Sequence, residues 1–160
     1  MNNVQVFPDI YFSYSQFMLF DESADYPQWS REHSAQGFTR TKSAVTFGTP
    51  LEAGEAYTRV ITGAFEGTES YDRVIAVPFL CVTGRISLMA PDDYEATTIE
   101  IPPGHYRVTA AQRITGEDEQ DIDLFFEPLA EPASRSEILV ADEKLDPPAV
   151  LLEDDGAIRD

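Results

Sequence analysis

Hydrophobic and polar residues alternate with a period of two in several segments of the chain. The pattern is clearest over His105–Ile114, where Tyr106, Val108, Ala110 and Ile114 fall on one side and His105, Arg107, Thr109 and Arg113 on the other. Such alternation predicts an antiparallel strand with one face on a core. Thr97–Ile101 alternates in the same way, and Pro102-Pro103-Gly104 between them predicts a turn that joins the two segments as a hairpin. Over Asp9–Phe20 the phase changes between Ile10, Phe12, Tyr14 and Phe17, Leu19, which predicts a bulge near Ser15–Gln16. Tyr71–Val82 is apolar on both faces and predicts a central strand, with Pro78 demanding an edge or a bulge because it has no N–H to donate. Val4–Phe7, Ala44–Gly48, Glu55–Phe65, Arg85–Met89 and Ile122–Phe126 complete the expected set. One helix interrupts them: Ser30 is suited to an N-cap, Arg31–Gln36 contain no breaker, and Gly37 stands where a left-handed residue ends a helix. The expected fold is therefore mainly β, an antiparallel β-sandwich with one short α-helix. Trp29, the only tryptophan, is expected to anchor the helix to the sheet.

Composition narrows the reading. At 160 residues and 42% apolar content the chain is globular, not disordered. The single cysteine, Cys81, cannot form an internal disulfide and fits a small buried hydrophobe in a reducing compartment. The apolar run Ile75–Val82 is far short of the roughly 20 residues that cross a bilayer, and the amino terminus MNNVQVFPDI lacks a secretory pattern. A cytoplasmic protein is expected. Charge is the abnormal feature. With 29 acidic against 11 basic side chains the formal net charge is −18, a surface that repels nucleic acid and anionic lipid and attracts basic partners. Residues 1–114 carry a net −6 and residues 115–160 a net −12. That step predicts a body over 1–127 and an acidic, Pro-containing, partly ordered and separable extension over 128–160, in which Ile138–Val140 and Ala149–Leu152 are apolar enough to dock.

Signatures of catalysis are missing. There is no nucleophile elbow, no His-Glu-x-x-His, no phosphate loop and no dinucleotide fingerprint. The histidines, His33 and His105, are far apart in the chain without a cysteine nearby, so no metal site or cofactor is expected, and both are read as surface or half-exposed residues. Asp21, Glu22 and Asp25, or Asp92-Asp93, offer oxygen ligands that a calcium-binding module would use. A non-catalytic sandwich that binds calcium or a small ligand is thus the alternative reading. The strongest local candidate for partner binding is Gly116–Asp123, in which Glu117, Glu119, Asp121 and Asp123 occupy alternate positions. In an extended strand they share one face at a spacing of about 6.6 Å, of the order of backbone phosphate spacing.

Several short segments also occur together in a recognisable order: Tyr14-Ser15-Gln16-Phe17 and Phe20, Trp29-Ser30, Gly37-Phe38, Ala44 and Phe47, Val77-Pro78-Phe79, and Ile101-Pro102-Pro103-Gly104-His105-Tyr106. On these, over roughly residues 10–126, the chain resembles the ComJ family of competence proteins. The resemblance implies a small acidic protein of immunity type that binds a bacterial nuclease or toxin and blocks it, and no enzyme. It transfers fold-defining aromatics and turns and no inhibitory residue. The expectation is an inhibitor that occupies the basic nucleic-acid groove of a nuclease, with Glu117, Glu119, Asp121 and Asp123 in contact.

Overall fold

A computed structural model of the chain describes residues 3–67, 70–93 and 96–156. Eleven strands and one helix follow in the order β1 (Asn3–Phe12), β2 (Gln16–Asp21), α1 (Arg31–Gln36), β3 (Phe38–Thr41), β4 (Ala44–Gly48), β5 (Gly54–Thr62), β6 (Arg73–Cys81), β7 (Arg85–Met89), β8 (Thr97–Glu100), β9 (Gly104–Gly116), β10 (Glu119–Leu129) and β11 (Glu137–Val140). They form two sheets, one of six strands in the order β1-β5-β10-β9-β6-β11 and one of five in the order β3-β4-β2-β7-β8. Every pairing is antiparallel except that of β5 with β10, which is parallel. The alternation that predicted the strands is the reason they pack. Tyr106, Val108 and Ala110 of β9 and Ile122, Leu124 and Phe126 of β10 are buried in one core cluster with Phe17, Leu19 and Phe47 of the opposite sheet. Gln112 sits in the same inward phase. Its amide donates to Gly48 O at 2.9 Å and its carbonyl accepts from Gln120 at 2.7 Å, so a polar group is satisfied where it would otherwise be costly.

The helix forms as its caps dictate. Ser30 is the N-cap, and Gly37 is left-handed at φ 87° with its N–H on His33 O and Ser34 O. The left-handed conformation at Gly37 is what calls for glycine, and a Cβ there would also press on the tips of the Ile75 and Leu145 side chains.

Several expectations are corrected. Thr97–Ile101 and His105–Ile114 are not a hairpin, since β8 pairs with β7 and β9 with β6 and β10. Pro102-Pro103-Gly104 carries the chain from one sheet to the other, a corner fixed by the Tyr106 hydroxyl donating to Pro102 O at 2.6 Å. The irregularity near Ser15–Gln16 is a two-residue turn, not a bulge: Gln16 N–H bonds Ser13 O, and Tyr14 and Ser15 have φ of 54° and 58°. β3 was not expected. His33 is buried, with Nδ1 2.6 Å from Ser30 Oγ and Nε2 2.6 Å from Asp154 O. Trp29 is half-buried and stands outside the core cluster.

The boundary expected after residue 127 falls inside β10. Beyond it, β11 completes the six-stranded sheet against β6, and the following segment runs along α1. Asp146 N–H bonds Ala35 O, Leu152 exchanges bonds with the Gln36 side chain, and Gly156 N–H reaches Gln28 O. Asp142 pairs with Arg73 at 2.6 and 3.0 Å, and Arg73 is only 3% exposed. Among the described residues no helix is long and apolar enough to cross a membrane.

Candidate partner-binding surface

The run singled out in the sequence is the end of a two-stranded hairpin. β9 ends at Gly116, Glu117 and Asp118 turn the chain, and Glu119 opens β10, with a register shift between Glu119 and Gln120. The turn is fixed from the side by β5. Glu55 N–H donates to Asp118 O at 3.0 Å, and Gly54 approaches so closely that a Cβ there would stand 2.2 Å from the same oxygen. Because β5 runs parallel to β10, Glu55 lies in register with Glu119 and Tyr57 with Asp121. On the other side of β5, Tyr11 of β1 pairs with Glu55.

These pairings gather acids that are distant in sequence. Glu55 has its pKa raised, first by a hydrogen bond shared with Asp9, then by partial desolvation and by the charges of Asp9 and Glu119. Like charges held this close oppose one another's ionisation. Glu55, Tyr57, Thr115, Glu119 and Asp121 line a cavity of about 330 Å³. Beside it on the same face Tyr11 and Tyr57 expose 61% and 45% of their surface. Exposed aromatic and apolar groups within a charged surround are a composition that protein interfaces favour.

The four residues expected to act together separate. Glu117 is exposed in the turn and Glu119 is exposed beside Glu55. Asp121 is half-buried and paired with Arg113 at 3.3 Å, while the Arg113 guanidinium lies 4.8 Å from the centre of the Tyr71 ring. Asp123 shares their face of the sheet but is fully buried. It accepts from Arg59 Nε at 2.8 Å, Arg59 Nη2 at 2.7 Å and the Tyr71 hydroxyl at 2.7 Å. Phe65 packs across Tyr71 and Phe125 over this group. Its charge is thus committed inside the protein. Asp9, Glu55, Tyr11 and Tyr57 had no local sequence signal, because only the β1-β5-β10 pairing places them here.

Three of the other acidic candidates, Asp21, Glu22 and Asp93, are also occupied. Asp21 is buried and accepts from Ser23 N–H and Oγ, Val82 N–H, and Thr83 N–H and Oγ1. Burial raises its pKa, but these bonds outweigh that effect and bring it to about 2. Glu22 pairs with Arg85 at 2.9 Å, and Asp93 caps Ala90 N–H at 2.7 Å. Among the described residues no group of three or more His, Cys, Asp or Glu is arranged to hold a metal ion.

A family model described as Competence protein J (ComJ) matches residues 9–129. Among solved structures, ComJ from Bacillus subtilis, an inhibitor of the DNA-degrading activity of NucA, superimposes with a TM-score of 0.66 at 17% identity. That match takes in 79% of this chain and 99% of that one. The product of crocagin biosynthetic gene J superimposes with a TM-score of 0.54, also at 17% identity, over 78% of this chain and 97% of that one. No protein of curated function matches in sequence.

Proposed function

Since this chain belongs to the Competence protein J family, we propose that it is a non-catalytic protein inhibitor that binds and blocks a nuclease in the cytoplasm. The carrying observation is the surface where Asp9, Glu55 and Glu119 crowd together beside exposed Tyr11 and Tyr57. A nuclease presents a positive groove to phosphate. An acidic surface on rigid strands competes for that groove by the same electrostatics, and the tyrosines supply apolar contact once water is displaced. The net charge of −18 steers the encounter from a distance. Glu117, Glu119 and Asp121 serve as contacts in this reading, joined by Asp9 and Glu55. Asp123 supports the strand beneath them.

The test is a kinetic titration against a nuclease encoded beside this protein, with wild type and the triple variant Glu55→Gln, Glu119→Gln, Asp121→Asn. The variant is expected to keep its melting temperature, associate about tenfold more slowly and show a shallower salt dependence of its on-rate. A variant that inhibits with the wild-type on-rate and salt slope removes this surface from the interface. Failure of the wild type to bind any such nuclease removes the inhibitor reading.

A further inference from the structure

A larger cavity, of about 650 Å³, opens where the β1–β2 turn, the loop after β4 and the segment after β11 meet. Its walls differ in chemistry from the acidic surface. Trp29 lines it, half-buried, with its indole Nε1 donating to Gln16 Oε1 at 2.9 Å. That bond fixes the ring while leaving part of it open. Arg73 and Lys144 line the same space. The Arg73 side chain is almost wholly buried, and Asp142 engages only its Nε and Nη2. The remaining Nη1 lies against Gly48, 3.3 Å from where a Cβ would stand, so any side chain at position 48 would crowd it. Lys144 Nζ donates to Pro50 O at 2.5 Å, which uses one of its three donors. The mouth is formed by Tyr14 and Ser15, both in the left-handed region that residues other than Gly, Asn and Asp seldom adopt.

A buried guanidinium with an uncommitted donor, a nearby ammonium and a fixed indole make a place for one anionic group and one flat ring. It is an unusual place in a chain of net charge −18. Glu52, on the same rim, repels a polyanion and favours a small ligand with a single anionic group. We propose that this cavity binds a small molecule made of a planar ring and an anionic head, the head accepting from Arg73 Nη1 and Lys144 Nζ and the ring lying against Trp29. This site is separate from the nuclease-inhibitor reading and stands or falls without it.

Trp29 reports its own occupancy, being the only tryptophan. The full chain is titrated with phenylacetate and, separately, with adenosine 5′-monophosphate, exciting at the red edge of indole absorption where neither probe absorbs. Saturable change in Trp29 emission is expected with at least one probe, with a Kd of about 1 mM or tighter. Saturation by phenylacetate alone assigns a carboxylate head, and by the nucleotide alone a phosphate head. Lys144→Gln, at an exposed position that leaves the fold intact, is expected to weaken binding about tenfold, the scale of one lost charged contact. Gly48→Ser, checked by its melting curve, is expected to abolish binding by crowding Nη1. Linear, unsaturable quenching with both probes, or an unchanged Kd in Lys144→Gln, overturns the proposal.

Discussion

Replacing Asp123 by Asn separates structure from recognition within the acidic run. The carboxylate is fully buried although it lies on the outer face of the six-stranded sheet. It accepts three hydrogen bonds, two from Arg59 and one from Tyr71. Asparagine preserves the shape but turns one acceptor into a donor, so at least one donor faces an N–H and the charge opposite Arg59 is gone. A hydrogen bond to a charged group contributes about 1.5–3 kcal/mol, and deleting one member of a fully buried ion pair costs about 3–5 kcal/mol. Here the Arg59 side chain is 41% exposed, so water satisfies it when the carboxylate is removed. The loss should therefore sit below the buried-pair range, at about 2–3 kcal/mol, equivalent to roughly 5–10 °C in a domain of this length. Asp121→Asn removes a pair whose partners are both close to one-third exposed, worth less than about 1 kcal/mol. Urea unfolding of both variants gives the comparison directly. A second readout is the Tyr71 hydroxyl, whose pKa is pushed up to about 12 by burial and then by the Asp123 carboxylate. In Asp123→Asn it should fall toward 10, visible as earlier phenolate absorbance in an alkaline titration. Asp123→Asn within about 0.5 kcal/mol of wild type, or no more damaging than Asp121→Asn, would refute this account.

The Asp21 carboxyl has its pKa lowered from 3.8 to about 2 in the folded state, so its stabilising contribution is complete above 3.8 and is lost as pH falls through about 2. Urea midpoints measured down to that pH should show a steep acid limb, flattened in Asp21→Ala; equal limbs would reject the clamp. Deleting residues 137–160 removes β11 and leaves buried Arg73 without Asp142, which should cost about 3–5 kcal/mol from the orphaned guanidinium alone. A truncated protein that melts like the full chain would show the segment to be separable after all. Trp29→Ala should cost about 1–2 kcal/mol, since the ring is half-buried with one hydrogen bond, and calorimetry showing a loss above about 3 kcal/mol would place Trp29 in the core.

Local rules made the strands and the helix legible. Alternation in β9 and the Ser30 and Gly37 caps act within a few residues, and the structure follows them. Pairing partners were less legible, because nothing in Thr97–Ile101 or in Pro102-Pro103-Gly104 distinguishes a turn within a sheet from a corner between two sheets. Phe38–Thr41 is too short, and Arg40 too polar, to show a strand period. The parallel β5–β10 pair had no signal at all, and it is this pair that brings Glu55 to Glu119. Of Glu117, Glu119, Asp121 and Asp123, read as one face, the last three share a face of β10 while Glu117 lies in the turn before it. That reading failed on exposure at Asp123, since period two places a residue on a face and cannot say that Tyr71 and Arg59, distant in sequence, will cover it.

The same distinction changes how the net charge should be read. Asp21, Asp123 and Asp142 are each held by three bonds or more, or by a buried arginine, and Glu153 accepts from Ser136 N–H and Oγ while lying near Arg40. Those charges are compensated within the fold and contribute little to an outside partner beyond long-range attraction. Asp9, Glu55 and Glu119 are different. Asp9 and Glu119 flank Glu55, to the extent that Glu55 is harder to ionise than a free glutamate. Repulsion of this kind is a standing cost to the isolated protein. A cationic partner seated there removes that repulsion while adding its own attraction, so acids crowded in this way gain from a complex. On the proposed reading the acids to test as the recognition surface are those that lack internal compensation, which a count of acidic residues along the chain does not single out.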